Sequence, residues 1–182
     1  VVAGELIEAV SDMSWADFIE TRIMSPLGMS DCRALPDRVS DSENRAVPHM
    51  SVDGELETTF FSGGGAAAAA GGVNCNVTGL AKWAAMHLAG GALPDGERLL
   101  SEETQAELWK PVTLLRVGKT SREHGRTHFA AYGLGWGLKD FYGDLHIGHG
   151  GALPGMTTYI AMLPEKDVAV IVLTNQFTRA SR

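Results

Sequence analysis

The chain has 182 residues, 45% of them apolar and 20% charged, with a formal net charge of −7 and a pI near 5.3. That length suits one domain, or two interleaved subdomains, with a sizeable core, and the composition is that of a soluble globular protein. The acidic balance, with Arg and Lys scattered, argues against a nucleic-acid or anionic-membrane surface. The longest apolar stretches, Ala66–Ala70 and Val168–Leu173, are too short to span a bilayer.

The chain begins at Val1 without methionine, and Val2, Leu6, Ile7 and Val10 already fall at helical spacing. The expectation is a chain that opens inside an element, with an N-terminal region before it. A second helix runs from a Ser14 cap through Ile23, with Asp17 at the capping-box distance and Trp15, Phe18, Ile19 and Ile23 as its stripe. Pro26 and Gly28 end it. From Ser30 to Ser62 the pattern is polar and irregular, a long connection with short strands expected around Val52 and Phe60-Phe61.

Gly63–Gly72 is low in complexity. It reads as a flexible linker or as close backbone packing around a pocket, and close packing is preferred because a strong helix follows at once. Asn76 or Thr78 caps that helix, with Leu80, Trp83, Ala84 and His87-Leu88 on one side and Gly90-Gly91 as its stop. Ser101-Glu-Glu-Thr opens another short helix, ending near Trp109 and Pro111.

In the last third the period changes. Tyr132–Leu138 alternates small and large residues as a strand would, and Asp144–His149, Thr157–Leu163 and Val168–Leu173 follow with short links. Such links imply antiparallel neighbours. Val168–Leu173 is apolar on both faces, so helices are expected on both sides of the sheet. The expected architecture is α+β, an antiparallel sheet flanked by helices. It has a helical part over about 1–125 and strands over about 130–175.

His149 is the leading catalytic candidate. It stands between Gly148 and Gly150-Gly151, at the end of a strand. A histidine exchanges protons near neutrality, and bare glycine backbone lets a ligand approach closely. The amide of Ala152 is a candidate oxyanion donor. His124 and His128, four apart in an arginine-rich loop, read as solvated surface, and His49 and His87 stand alone. His146 and His149, three apart on a strand, point to opposite faces, so no shared metal is expected. Cys32 and Cys75 read as small, half-buried side chains, with Cys75 before a helix a weak candidate nucleophile. No G-x-S-x-G, S-x-x-K or Y-x-N motif occurs. Ser11, Ser14, Ser25 and Ser101 read as helix caps or breaks. Ser62, beside the glycine run, is the only serine in a pocket-like setting and is a poor nucleophile candidate.

Several blocks in order resemble the serine β-lactamases and penicillin-binding proteins, in particular the class C β-lactamase and related esterase branch. Ser14–Met29 is similar to that family's helix ending in P-L-G-M. Ala70-Gly-Gly-Val-Asn with Gly79-Leu-Ala-Lys-Trp83 resembles its glycine turn and following helix. Tyr132-Gly-Leu-Gly-Trp136 resembles the strand before its third motif. His149-Gly-Gly-Ala152 falls on its K-T-G-A position, and Pro164-Glu-Lys with Val-Leu-Thr-Asn175 falls on its closing strands.

The resemblance implies a β-lactamase/transpeptidase-like fold, incomplete as given, and an acyl-enzyme mechanism on a small-molecule ester, peptide-like amide or β-lactam. No H-E-x-x-H, paired C-x-x-C or acidic metal cluster occurs in the sequence, so no metal is expected, and no cofactor is expected. By carry-over His149 takes the lysine's place, Ala152 supplies an oxyanion amide, and Gly150 and Gly151 form the edge on which an acyl substrate lies. Histidine in place of lysine resembles the esterase, aminopeptidase and amidase members more than the penicillin-destroying ones. The serine, lysine and tyrosine of the first two motifs lie outside these residues. The 182 residues alone are therefore expected to be inactive, and the missing N-terminal segment of the same protein is an expected partner. The rivals are a non-catalytic binding or sensor remnant of the same fold, and a cysteine hydrolase built on Cys75.

Overall fold

The computed structural model describes residues 1–40 and 44–177; the expected connection over 30–62 is thus described apart from 41–43. The described residues fall into two compact units, one within 1–40, 44–82, 151–158 and 172–177, the other from 83–150 and 159–171.

In the first unit, α1 (Val2–Ser11) and α2 (Trp15–Ile19) form the expected helical pair. Ser14 caps α2 by accepting from the Asp17 amide at 3.1 Å and donating to its carboxylate at 2.7 Å, a local arrangement that satisfies an otherwise orphaned helix-end N–H. The helix continues as a π turn over Glu20–Met24. Trp15, Ala16 and Ala34 form the buried cluster here, packed against Ile7, Ile19, Ala68 and Ala69. A small hairpin, β1 (His49–Val52) and β2 (Glu55–Thr58), follows, and then α3 (Ala68–Gly71). The run is packed at its ends and exposed over 64–67: a Cβ on Gly72 would stand 2.7 Å from the carbonyl oxygens of Ala34 and Ala68, whereas one on Gly64 or Gly65 would meet nothing within 4 Å.

The helix α4 (Val77–Leu88) leads into the second unit, and the Asn76 side chain caps it through the Gly79 amide at 2.8 Å. There follow α5 (Glu102–Leu108), capped by Ser101, and α6 (Lys119–Gly125). The strands are β3 (Thr113–Leu114), β4 (Ala130–Tyr132), β5 (Gly137–Phe141), β6 (Asp144–Leu153), β7 (Met156–Leu163) and β8 (Val168–Thr174). They form one sheet in chain order, antiparallel from β3 through β6. Ala131, Leu138 and Ile147 face one another across β4, β5 and β6 and are buried with Ala84, Trp136 and Met162. Full burial of an Ile- or Met-sized side chain contributes about 1.5–3 kcal/mol.

Five expectations are corrected. Tyr132–Leu138 is not one strand: residues 133–136 form the turn between β4 and β5, where Gly135 has φ +83° and the Gly133 amide donates to the Trp136 carbonyl at 2.8 Å. Alternating small and large residues satisfied the strand pattern, but the left-handed conformation at Gly135 reverses the chain. Phe60-Phe61 is not in a strand. His149 is inside β6, not at its end. The outer face of β8 is exposed at Val168 and Val170 among the described residues, so apolar residues on both faces did not imply cover on both. Finally, Cys32 and Cys75 are joined by a disulfide and no free cysteine exists, which removes Cys75 as a nucleophile.

Candidate functional site

β6 carries all four residues expected at the site in consecutive order, His149, Gly150, Gly151 and Ala152. Its register with β5 runs from Phe141 opposite Asp144 to Gly137 opposite Gly148. The stretch His149–Leu153 therefore extends past the last β5 partner, and its backbone edge on that side is not taken up by β5. An edge of this kind offers N–H and C=O groups to an extended ligand.

In the second unit His149 is exposed, and its Nε2 lies 2.9 Å from the Tyr132 hydroxyl. The contact orients the ring, since a phenol can either donate to Nε2 or accept from Nε2–H. The other histidines of this unit do different work. His87 is fully buried; its Nδ1–H donates to Gln105 Oε1 at 2.8 Å, and the rings of Trp83 and Trp136 meet it edge-on. Burial holds its pKa below the ordinary value. His146 is pushed down to about 4, first by burial and then by the charge of Lys139, its cross-strand neighbour. Neither is suited to carrying charge at neutral pH. His128 is exposed and pairs with Asp140, whose carboxylate accepts the amides of His128 and Phe129 and is held at about 2 chiefly by the Phe129 bond.

In the first unit, Gly151 and Ala152 line a cavity of about 290 Å³ together with Trp15, Phe61, Leu153 and Met156. Segment Ala68–Asn74 forms more of its wall, so the glycine run does border a pocket. Ser62 also lines it, but the buried Ser62 hydroxyl has no hydrogen-bond partner among the described residues. A serine nucleophile needs a base within hydrogen-bond reach, so Ser62 remains a wall residue. The hydroxyls of Ser14 and Ser101 are engaged at helix starts, as expected.

Sequence reasoning missed Tyr132 as the partner of His149 and Trp15, Leu153 and Met156 as cavity walls. Tyr132 was read only as part of an alternating pattern, and Trp15 only as a helix stripe. The register of β4 through β6 was the signal needed for the first; nothing local announces the second.

The Beta-lactamase family model matches residues 1–182. Penicillin-binding protein 4 of Amycolatopsis lactamdurans is 28% identical over 179 residues, covering 96% of this chain and 45% of that protein. The structure of the octameric penicillin-binding protein homologue from Pyrococcus abyssi superposes with a TM-score of 0.80 at 27% identity, over 95% of this chain and 36% of that one. A class C beta-lactamase shares the fold at a TM-score of 0.70 and 15% identity, over 99% of this chain and 51% of that one. The chain thus spans about half or less of the length of these relatives. The fold is that of the β-lactamases and transpeptidases, and with its whole length matched, the chain belongs to the beta-lactamase family.

Proposed function

We propose that these residues form the acyl-binding wall of a serine hydrolase that acts on an ester, a peptide-like amide or a β-lactam through an acyl-enzyme. The observation that carries this reading is the overhang of β6, where His149–Leu153 run on past β5. A substrate acyl chain lies along Gly150 and Gly151, and the Ala152 amide donates to the carbonyl oxygen. As a serine oxygen adds to the carbonyl carbon, the π electrons move onto that oxygen, and a fixed N–H in place beforehand stabilises the charge that develops. Collapse of the adduct expels the alcohol or amine, and water then releases the acid. His149, held by Tyr132, binds or exchanges a proton with the part of the substrate next to the scissile bond.

The attacking serine is not among these 182 residues in this reading. Intact mass after incubation with a fluorophosphonate tests it. The 182-residue chain should show no adduct, while a longer protein containing it should label once, on a serine outside it. A stoichiometric adduct on the 182-residue chain would overturn the assignment of roles. No label on the longer protein would turn the reading toward a binding module.

A further inference from the structure

The scatter of Arg and Lys along the chain hides an uneven spread of the acids. Between Glu107 and Asp140 the only acidic residue is Glu123, against Lys110, Arg116, Lys119, Arg122, Arg126 and Lys139. Between Arg45 and Lys82 there is no Lys or Arg, and Asp53, Glu55 and Glu57 stand close together. The fold presents both runs at the surface. All of residues 51–58 in the β1–β2 hairpin are exposed, and its tight turn holds Asp53 and Gly54 at φ +51° and +92°. Arg116, Lys119 and Arg122, with Val117, line an open hollow of about 480 Å³ just after β3. Among the described residues, neither the Arg116 nor the Arg122 guanidinium has a hydrogen-bond or ion-pair partner, and neither do the carboxylates of Asp53, Glu55 and Glu57. Lys119 reaches only Glu123, at 3.7 Å, an exposed pair of the weak kind.

Both places also carry uncovered apolar side chains. Val52, Leu56 and Phe60 lie on and after the hairpin, and Val112, Leu114 and Leu115 lie around β3, with Leu114 exposed at 76% and Phe60 at 67%. Among the described residues β2 and β3 are outer strands, each with one backbone edge that no strand takes up. Like edges exclude one another. β2 against β2 sets Glu55 and Glu57 beside their own copies, and β3 against β3 does the same with Arg116 and Arg122. The unlike pairing joins opposite charges instead. Two copies at −7 repel at a distance, but salt screens charge within about 8 Å under physiological conditions, so at contact the local charges decide.

We propose that copies of this chain associate through unlike edges, the acidic β1–β2 hairpin of one copy lying against the basic β3–α6 face of another. Glu55 and Glu57 pair with Arg116 and Arg122, and Leu56 and Phe60 cover Leu114 and Leu115. A contact of this size is weak and reversible, so association sets in at about 0.1–1 mM. A copy that has given its hairpin still holds a free face, so association is not limited to pairs. The inference stands apart from the hydrolase reading, because none of these residues belongs to the β6 site.

The test is sedimentation velocity of the 182-residue chain from about 0.02 to about 1 mM, in about 150 mM NaCl. The weight-average coefficient should rise with concentration, and about 1 M NaCl should weaken the association about fivefold or more. Glu55→Lys with Glu57→Lys should leave the chain monomeric throughout, and so should Arg116→Glu with Arg122→Glu. An equimolar mixture of the two variants should associate again, because it brings an intact acidic hairpin to an intact basic face. All four positions are exposed, so the reversals should leave the fold in place. Should either variant not fold, concentration-dependent amide NMR shifts of the unaltered chain serve instead, and they should be confined to residues 51–60 and 110–126. A monomer at the highest concentration, association that survives either reversal, a mixture that stays monomeric, or shifts that fall elsewhere overturns the proposal.

Discussion

The imidazole Nε2 of His149 lies 2.9 Å from the Tyr132 hydroxyl, joining the strand before the turn at Gly135 to the strand that carries the glycines. In this geometry the phenol fixes the direction of an otherwise exposed ring. Tyr132→Phe removes the hydroxyl and keeps the aromatic packing. A single neutral hydrogen bond contributes about 1 kcal/mol, so the variant should lose several-fold in kcat/KM in the longer enzyme. In the 182-residue chain the imidazole 15N shifts should change. Unchanged 15N shifts would show that the contact does not position the ring.

Acid should weaken the second unit through His87 and His146. Burial keeps both below the ordinary value of 6.5, His146 at about 4, so the folded state resists protons that the unfolded chain accepts. With the folded pKa depressed, the stability is fully present above pH 6.5 and is lost as pH falls toward 4. For His146 the complete loss is of order 3 kcal/mol. Urea unfolding at pH 7.5 and pH 4.5 measures it, and His146→Gln should make the difference between the two smaller. An equal difference in wild type and variant would assign the acid sensitivity elsewhere.

The disulfide between Cys32 and Cys75 closes a sequence separation of 43. In the chain-entropy account a loop of that length is worth about 4 kcal/mol. Cys32→Ser with Cys75→Ser should therefore lower stability by 2–4 kcal/mol, read from denaturant midpoints. Without reductant neither sulfur should be alkylated by iodoacetamide. Rapid alkylation of Cys75 in untreated protein would reinstate a free thiol.

Ser62→Ala tests the wall rather than the chemistry. The hydroxyl is buried without a partner, and such a group costs about 1–3 kcal/mol when it cannot hydrogen-bond. The alanine variant should be as stable as wild type or up to about 1 kcal/mol more stable. A clear loss of stability would mean that the hydroxyl has a partner in solution.

The helices were legible because their signals are local. Ser14, Asn76 and Ser101 cap where the sequence placed caps, since a cap depends only on residues two or three positions away. The start of β6 at Asp144 was legible, but its run past His149 to Leu153 was not. The turn at Gly135, the disulfide and the cavity depend on residues far apart in the chain or on backbone angles that no alternation encodes. Thus Cys32 and Cys75 looked unrelated, and Trp15 gave no sign of meeting Met156 around one cavity. The exposed face of β8 failed for the opposite reason, because hydrophobicity records which side chains tolerate burial and not which are covered.

Gly155 closes the β6–β7 turn next to the site strand, and two separate constraints meet there. Its φ is +77°, in the left-handed region that an L side chain enters at a cost of about 1 kcal/mol. A Cβ would also stand 2.5 Å from Pro48 Cβ, 2.6 Å from Thr59 Cγ2 and 2.7 Å from the His49 amide nitrogen, all closer than real Cβ contacts. The Gly155 carbonyl accepts from that same His49 amide at 3.1 Å, so relief of the overlap would break the bond that fixes the turn to β1. Gly155→Ala should lose at least 3 kcal/mol, more than either effect alone would give. Denaturant unfolding reads the loss. A variant within 1 kcal/mol of wild type would mean that the turn adjusts freely and does not hold the site strand in place.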